Sequence, residues 1–411
     1  MIKQGWVQTL MAVVSGRMLV ALMMGFSSGL PLLLTGSTLQ AWLKDSGADL
    51  TMIGAAALIG LPYTLKFLWA PLFDRYTLPL LGRRRGWLAL CQGALALALL
   101  CLSISDPASN LWGVALAALL VTFFSASQDI VVDAYRRESL TDQELGLGAA
   151  MFVNGYRVGM LLAGGGGLIL ADLFSFPQMY QLMALFMGLA ILVTLFSPEP
   201  REVAGSPRTL QQAVIEPFIE FFQRPEAISI LAFILLYKLG DTLASAINVP
   251  FYLDIGFSKS EIGAIAKLFG FWATLIGGTL GGIWILRIGL YRSLWIFGFL
   301  QMASTFGFVL LANVGYNLPM LTGVIAVENF TGGLGTAAFV GFMGAMTDRR
   351  FTATQYALLS SLMGVPRVIL STPTGWMVGQ MGWSSFFILC TVLAIPGLLM
   401  IRRFRGWERN A

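Results

Sequence analysis

The chain has 411 residues, 57% of them hydrophobic and 11% charged, with a formal net charge of +5 and no histidine. A soluble domain carries about twice that share of charge, so this composition, with a mean hydropathy of +0.77, excludes an ordinary globular protein. It fits an all-α polytopic membrane protein, since only helices and closed barrels satisfy their backbone in lipid and no barrel-type alternation is present.

Residues 1–17 are short and mixed in polarity, and the apolar run that follows is too long for a signal peptide, so it reads as a retained first helix. Apolar stretches then run over 15–43, 51–72, 86–105, 111–134, 146–171, 178–197, 226–252, 260–285, 292–312, 318–346, 355–379 and 383–401. Twelve such stretches predict twelve transmembrane helices and leave roughly 34 residues for each helix and its connection. That excludes a sizeable soluble domain. No G-x-x-x-x-G-K-[ST] sequence occurs either, so accumulation has to draw on an ion gradient or the solute's own gradient.

Lys and Arg set the expected orientation. Five lie inside stretches (Lys66, Arg157, Lys238, Lys267, Arg367) and two in loops of one side (Lys44, Lys259). The rest gather at the termini, the even-to-odd loops and the middle linker, which predicts that both termini are cytoplasmic. Arg83-Arg84-Arg85 and Arg402-Arg403 are therefore orientation signals, and no nucleic acid is expected as a partner. Cys91 and Cys101 would lie ~15 Å apart along one helix, too far to bridge. With Cys390 they read as small hydrophobes, and nothing supports a metal site.

Residues 198–225 form the one extended hydrophilic stretch. Pro198-Glu199-Pro200 opens it, and Leu210 to Phe222 reads as a short amphipathic helix at the cytoplasmic surface. It separates a six-helix bundle over 1–197 from another over 226–411. The two bundles echo each other at an offset of about 210 residues: Thr51-Met52-Ile53-Gly54 matches Ser260-Glu261-Ile262-Gly263, and Arg157-Val158 matches Arg367-Val368. Two parallel repeats joined by a cytoplasmic linker are the pattern of a transporter with its site between them.

Ionisable groups inside the bilayer are costly and so mark candidate sites. Asp129 and Asp133 stand one helical turn apart, on one face. Asp129 is a candidate proton acceptor or substrate contact, or else a structural ion-pair partner of Arg157. Asp133, nearer the surface, is a gate residue pairing with Arg136, Arg137 or the Arg75 loop. Asp74, Arg75, Arg83 and Arg84 read likewise as gate residues. Glu328 and Asp241 are the other proton-coupling candidates; Lys238 and Asp241, three apart, may satisfy each other. Lys267 lacks a local partner and is expected to reach Glu328 or Asp241. Arg157 and Arg367 occupy matching positions and are candidates for gripping carboxylates, which guanidinium binds bidentately. The deep set of four cations (Arg157, Lys238, Lys267, Arg367) and three acids (Asp129, Asp241, Glu328) favours an anionic substrate. Gln128, Asn329, Gln40 and Tyr63 complete the substrate-binding candidates. Trp42, Trp69, Trp272 and Trp376 could stack on sugars, though belts and packing explain most such aromatics. The glycine runs 164–167 and 277–282 sit within stretches and read as close helix contacts rather than phosphate loops.

The architecture, with Asp74-Arg75 followed by Gly82-Arg83-Arg84-Arg85, resembles the major facilitator superfamily. Ala70 stands where that loop motif usually has its leading glycine, and residues are inserted before Gly82. The resemblance narrows on Ser28-Gly29-Leu30-Pro31, Leu34-Thr35 with Thr38 to Trp42, Lys66 to Tyr76, Ser125 to Asp133, Gly155 to Met160, Tyr237 to Asp241 and Ala353 to Ser360. These segments, spread over nearly the whole chain, are similar to AmpG-type muropeptide permeases. Some members carry two further C-terminal helices, and nothing about those is implied. The resemblance implies import of GlcNAc-1,6-anhydro-muramyl peptides across the bacterial inner membrane, driven by the proton gradient with no other cofactor, in cell-wall recycling and upstream of β-lactamase induction where that circuit exists. A monomer in the lipid bilayer is expected. The alternatives are a facilitator of the same fold for a small peptide, sugar or acyl-CoA, and a non-transporting sensor or lipid-handling protein. No nucleophile–base constellation argues for an enzyme.

Overall fold

The structure is a computed structural model that describes residues 11–48, 56–79, 81–201, 207, 209–258, 261–366, 370 and 373–404. Among the described residues it is all-helical; the one β-type pairing is an isolated bridge between Leu78 and Gly82. Among the described residues ten helices are long and apolar enough to cross a membrane. We number the helices in chain order: α1 Gly16–Asp45, α2 Leu58–Leu68 continued by Ala70–Arg75, α3 Arg83–Ser103, α4 Leu111–Ser139, α5 Leu145–Leu173, α6 Phe176–Phe196, α7 Leu210–Gln223, α8 Ala227–Asp254, α9 Ile262–Ile288, α10 Leu290–Val314, α11 Leu318–Ala345, α12 Thr352–Val365 and α13 Thr374–Phe404.

The second and eleventh expected spans depart from the plain pattern. The second is broken into short 3-10 and α pieces from Ala56 to Arg75. Pro62 and Pro71 lie among them; proline lacks the N–H that continues a helix ladder. The eleventh begins as α12, and residues 367–369, 371 and 372 of it lie outside the described residues. The expected division between 355–379 and 383–401 falls at Gly382, whose non-helical φ of 77° kinks the helical run Thr374–Met400. The repeat echo at residues 51–54 lies outside the described residues.

α7 is the amphipathic helix expected in the linker. Thr209 and Gln212 form its capping box, each side chain bonding the other's backbone N–H. One face packs through Ala213, Pro217 and Phe221, and Leu210, Val214, Ile219 and Phe222 stay exposed. Gln355 Nε2 on α12 donates to Pro217 O at 3.1 Å and to Glu220 Oε2 at 2.6 Å.

Apolar packing differs between the two ends of the bundle. At the end away from Arg83–Arg85 and Arg402–Arg403, one buried cluster draws only on residues before α7 (Leu30, Trp42, Leu99, Tyr180). Another draws only on residues after it (Phe251, Phe308, Phe387). At the arginine-rich end, here the basic end, clusters mix the halves: Ala353 and Ala357 pack with Met24, Phe73 and Ile130, and Ala149 and Ala150 with Ile285 and Leu334.

Glycine permits that contact along α5 and α9. A Cβ on Gly282 would stand 2.7 Å from Ala150 Cβ, and one on Gly146 2.2 Å from Ile285 Cγ2. Within the first half, α1 and α5 touch backbone to backbone, because a Cβ on Gly155 would sit 1.9 Å from Leu22 O. Of the run 164–167, Gly164 alone sits tightly against another helix, beneath Leu33; a Cβ on Gly165 would meet open space.

Candidate proton and substrate site

The basic-end gate is an ion network around Arg84, which is fully buried. Its Nη2 donates to Asp74 Oδ1 at 2.8 Å and to Glu138 Oε1 at 2.6 Å, and its Nη1 donates to Phe73 O at 2.9 Å. Arg83 adds a bond to the same Glu138 at 3.0 Å. Asp74 then crosses to the second half. It accepts the backbone N–H groups of Ala353 (3.2 Å) and Thr354 (2.8 Å) and the Thr354 hydroxyl (2.8 Å). A helix leaves its first N–H groups without intrahelical partners, and Phe351 at the α12 N-cap supplies none. Asp74 is thus the cap of a helix in the other half. Glu199 plays the same part for α3, accepting Arg84 N at 2.7 Å and Arg85 N at 2.9 Å. Gly82 passes beneath Glu199 at φ +87°, where a Cβ would come within 2.7 Å of the carboxyl carbon. Of the four residues expected at the gate in this region, Asp74, Arg83 and Arg84 meet in this network; Arg75 lies over the ring of Tyr76, at 5.2 Å from the centroid, with no ion pair among the described residues.

One turn deeper lies the α4 pair. Asp133 is held by Arg136 Nη2 at 3.0 Å and by Lys66 Nζ at 3.9 Å. Of the three partners expected for Asp133, only Arg136 is there; Arg137 goes to Asp142 at 2.9 Å. Arg136 also donates to Tyr356 Oη on α12 at 2.7 Å and stacks on Phe152. Asp129 feels the charges of Lys66 and Asp133 and keeps Oδ1 without a partner among the described residues. The alternative ion pair of Asp129 with Arg157 does not form, because Lys66 supplies the nearby cation. Gln128 is fully buried; its Nε2 donates to Ser27 and Ser28, each at 3.4 Å, and its Oε1 has no protein partner. Tyr63 Oη donates to Ser125 Oγ at 2.9 Å.

Lys66 is the residue that the sequence reading passed over as a site. It was visible as a lysine inside an apolar stretch three residues after Tyr63, but the broken geometry that turns it inward was not. Its side chain is only 9% exposed.

The second half builds its own cluster on α8, α10 and α11. Lys238 Nζ stands 3.2 Å from Asp241 Oδ2 and donates to Thr336 Oγ1 at 3.2 Å. Glu328 accepts from Ser304 Oγ at 2.5 Å and feels the charge of Asp241. Among the described residues Arg157 on α5 makes no hydrogen bond or ion pair, and the acid within its electrostatic reach is Asp241, across the interface. Lys267 does not reach Glu328 or Asp241 as expected: it is exposed, on the π-helical start of α9. Both acids have closer partners.

Asn329 is spent on structure, accepting from Thr274 Oγ1 at 3.0 Å and donating to Ile325 O at 3.0 Å. Gln40 is exposed. Arg367, the expected symmetry mate of Arg157, lies outside the described residues. Trp42 stacks on Phe176 and Tyr180 as packing, and Trp69 Nε1 donates to Ser127 Oγ at 3.0 Å. Trp272 and Trp376 are exposed, as in an interfacial belt. No cluster of three or more metal-ligating side chains occurs among the described residues.

The comparisons with known proteins agree with this architecture. Residues 17–249 match the family model of the Major Facilitator Superfamily. The anhydromuropeptide permease of Escherichia coli (strain K12) is 44% identical over 387 residues, covering 94% of this chain and 79% of that one. The putative transporter AmpG 4 of Rickettsia conorii is 35% identical, over 94% and 95%. Among solved structures, the proton:xylose symporter XylE superposes with a TM-score of 0.72 at 11% identity, covering 97% and 96%. The human organic anion transporter MFSD10 gives 0.65 at 16% identity, over 97% and 100%; at such identities they share the fold. The chain is a transporter and not an enzyme, a multi-pass protein of the inner membrane, and it belongs to the AmpG-type muropeptide permeases of the major facilitator superfamily.

Proposed function

We propose that this chain imports GlcNAc-1,6-anhydro-muramyl peptides across the bacterial inner membrane for cell-wall recycling, coupled to protons and by alternating access. The relative named anhydromuropeptide permease, 44% identical over 94% of the chain, supports the substrate. The observation that carries the mechanism is the asymmetry of packing: the two halves share buried clusters at the basic end and keep separate ones at the other. Such packing is one end state of a rocking cycle. In this reading the basic end faces the cytoplasm, with both termini, and the structure is closed on that side. Twelve helices form two six-helix bundles, 1–197 and 226–411, that act as a monomer.

Protons are carried on carboxyl groups, with Asp129, Asp241 and Glu328 as the candidates. Arg157 and Lys238 grip the substrate's carboxylates, and Gln128 offers an amide oxygen to its N–H or O–H groups. The gate at Asp74, Arg84 and Asp133 must break and re-form in each cycle, because switching requires contacts that differ between the two states.

The test is uptake of a labelled GlcNAc-anhydro-muramyl tripeptide into vesicles holding the purified protein, with and without a proton gradient. Gradient-driven accumulation is expected. Uptake indifferent to the gradient would remove coupling and leave a facilitator of the same solute; no uptake by folded protein would remove the substrate.

A further inference from the structure

We propose that the outward face of α7 is seated in the bilayer leaflet at the basic end, on anionic phospholipid beside Arg402 and Arg403, and that this seat straps α7 across the gate. The inference goes beyond the transport reading and needs no substrate.

Residues four apart stack in rows along a helix, and α7 has four rows. Ala213, Pro217 and Phe221 form the packed one. Val214, Phe218 and Phe222 form the next, Ile215 and Ile219 the one after, and Gln212, Glu216 and Glu220 the fourth. A helix that met water would turn polar side chains away from its packed row. α7 turns two apolar rows there instead: Val214, Ile215, Ile219 and Phe222 are each 42–55% exposed. An apolar patch of this kind marks an interaction surface.

Its position points to lipid as the occupant. Arg224, Pro225 and Glu226 alone separate α7 from α8, a helix long and apolar enough to cross a membrane, and Ile228 in the first turn of α8 is 78% exposed. The apolar rows therefore stand where a hydrocarbon-facing surface begins. Ile401 and Phe404 share one buried cluster with Phe221, which brings Arg402 and Arg403, both exposed, to the flank of α7. Arginines beside an interfacial apolar helix attract anionic headgroups.

The remaining rows tie α7 to the gate. Gln355, fully buried on α12, donates to Pro217 O and Glu220 Oε2 and accepts Asp348 N at 2.7 Å. Glu220 also accepts Arg224 Nε at 2.8 Å and Nη2 at 2.6 Å, and Arg224 Nη1 donates to Met346 O at 2.5 Å. Gln355 and Met346 belong to the second half. Across the gate, α7 packs against Ala70–Arg75 of the first half, the segment that carries Asp74. The first turn of α12 is thus held from one side by Asp74 and from the other by α7. Held down by lipid, α7 keeps both halves together; lifted out, it follows the second half and leaves Ala70–Arg75.

Three measurements on the full-length protein test this, with Cys101, the exposed native cysteine, changed to Ser. Nitroxide labels are placed by Ile219→Cys, Phe222→Cys and, on the acidic row, Glu216→Cys, and the protein is put into liposomes of phosphatidylethanolamine and phosphatidylglycerol. Labels at 219 and 222 should be relaxed by oxygen and shielded from a water-soluble nickel chelate, and the label at 216 should show the reverse. Labels at 219 and 222 open to nickel overturn the proposal. Shielding from both relaxants overturns it in favour of a protein partner, and line broadening that vanishes on dilution with unlabelled protein overturns it in favour of a second copy. Next, leaving out phosphatidylglycerol, or combining Arg402→Gln with Arg403→Gln, should shift the 222 label toward nickel; no shift in either overturns the anionic seat. Last, Ile219→Asn with Phe222→Asn changes two side chains that are already exposed and should leave the packed row intact. A spin-label pair across the basic end should then shift toward longer distances. Distances unchanged from wild type overturn the strap.

Discussion

Each half gathers a pair of acids beside cations, but the two wire them differently. In the first half Asp129 and Asp133 sit on one helix and never touch. Asp133 takes Arg136 and Lys66, and Asp129 keeps a bare oxygen. In the second half Asp241 and Glu328 come from different helices; Lys238 pairs with Asp241, Ser304 bonds Glu328, and the second cation, Arg157, comes from α5 of the first half. The first arrangement lies at the basic end, and its Arg136 ties directly to Tyr356 of the other half. The second stands on α8, α10 and α11. Similar composition therefore yields a tie between the halves in one case and a cluster mostly within one half in the other.

The comparison breaks most easily at its lysines. Lys66→Met should be the most damaging single change. It strips a cation from a pair whose side chains are each 9% exposed, and because Arg136 still holds Asp133 the loss stays below the ~3–5 kcal/mol of a buried charge left wholly unpaired. Lys238→Met should cost visibly less, since the Asp241 side chain is 25% exposed. Thermal melts of the two variants in detergent decide this; equal losses would mean that the halves are not wired differently. Ser304→Ala should come next, at about 1–3 kcal/mol, because Glu328 loses a donor in a buried setting. The same melts check it.

Tyr356→Phe should be milder, about 1 kcal/mol, the net worth of an ordinary hydrogen bond. Its effect should appear less in stability than in the balance of states. A spin-label pair across the basic end should report a larger open fraction, and no change would remove Arg136 from the latch. Lys267→Ala should leave stability within about 0.5 kcal/mol of wild type, as for an exposed side chain away from any network. A large loss would restore the cross-bundle pairing that the geometry rejects.

Much of this was legible from residue order. The apolar stretches located the helices, the arginine clusters marked one end, and two i,i+3 pairs, Lys238–Asp241 and Arg136–Asp133, follow from spacing alone. Pairings between helices were not legible, because those partners are distant in sequence. Lys267 looked unpartnered and was expected to reach Glu328 or Asp241; it is exposed on a π-helical turn instead. Lys66 went unnoticed because a regular helix does not turn that position inward, whereas the short 3-10 segment Lys66–Leu68 buries it. Local patterns place side chains along a helix, and pairings across helices depend on rotations and breaks that single-residue spacing does not encode.

The bond from Asp74 to α12 has a consequence for how the molecule might be watched. A helix whose first turn is capped by the opposite half has an end that exists only while the halves touch there. When they part, the amides of Ala353 and Thr354 lose their acceptor and meet water. Exchange of those two hydrogens for deuterium is then a clock for the cycle, running on the unlabelled protein and counting each excursion of the gate.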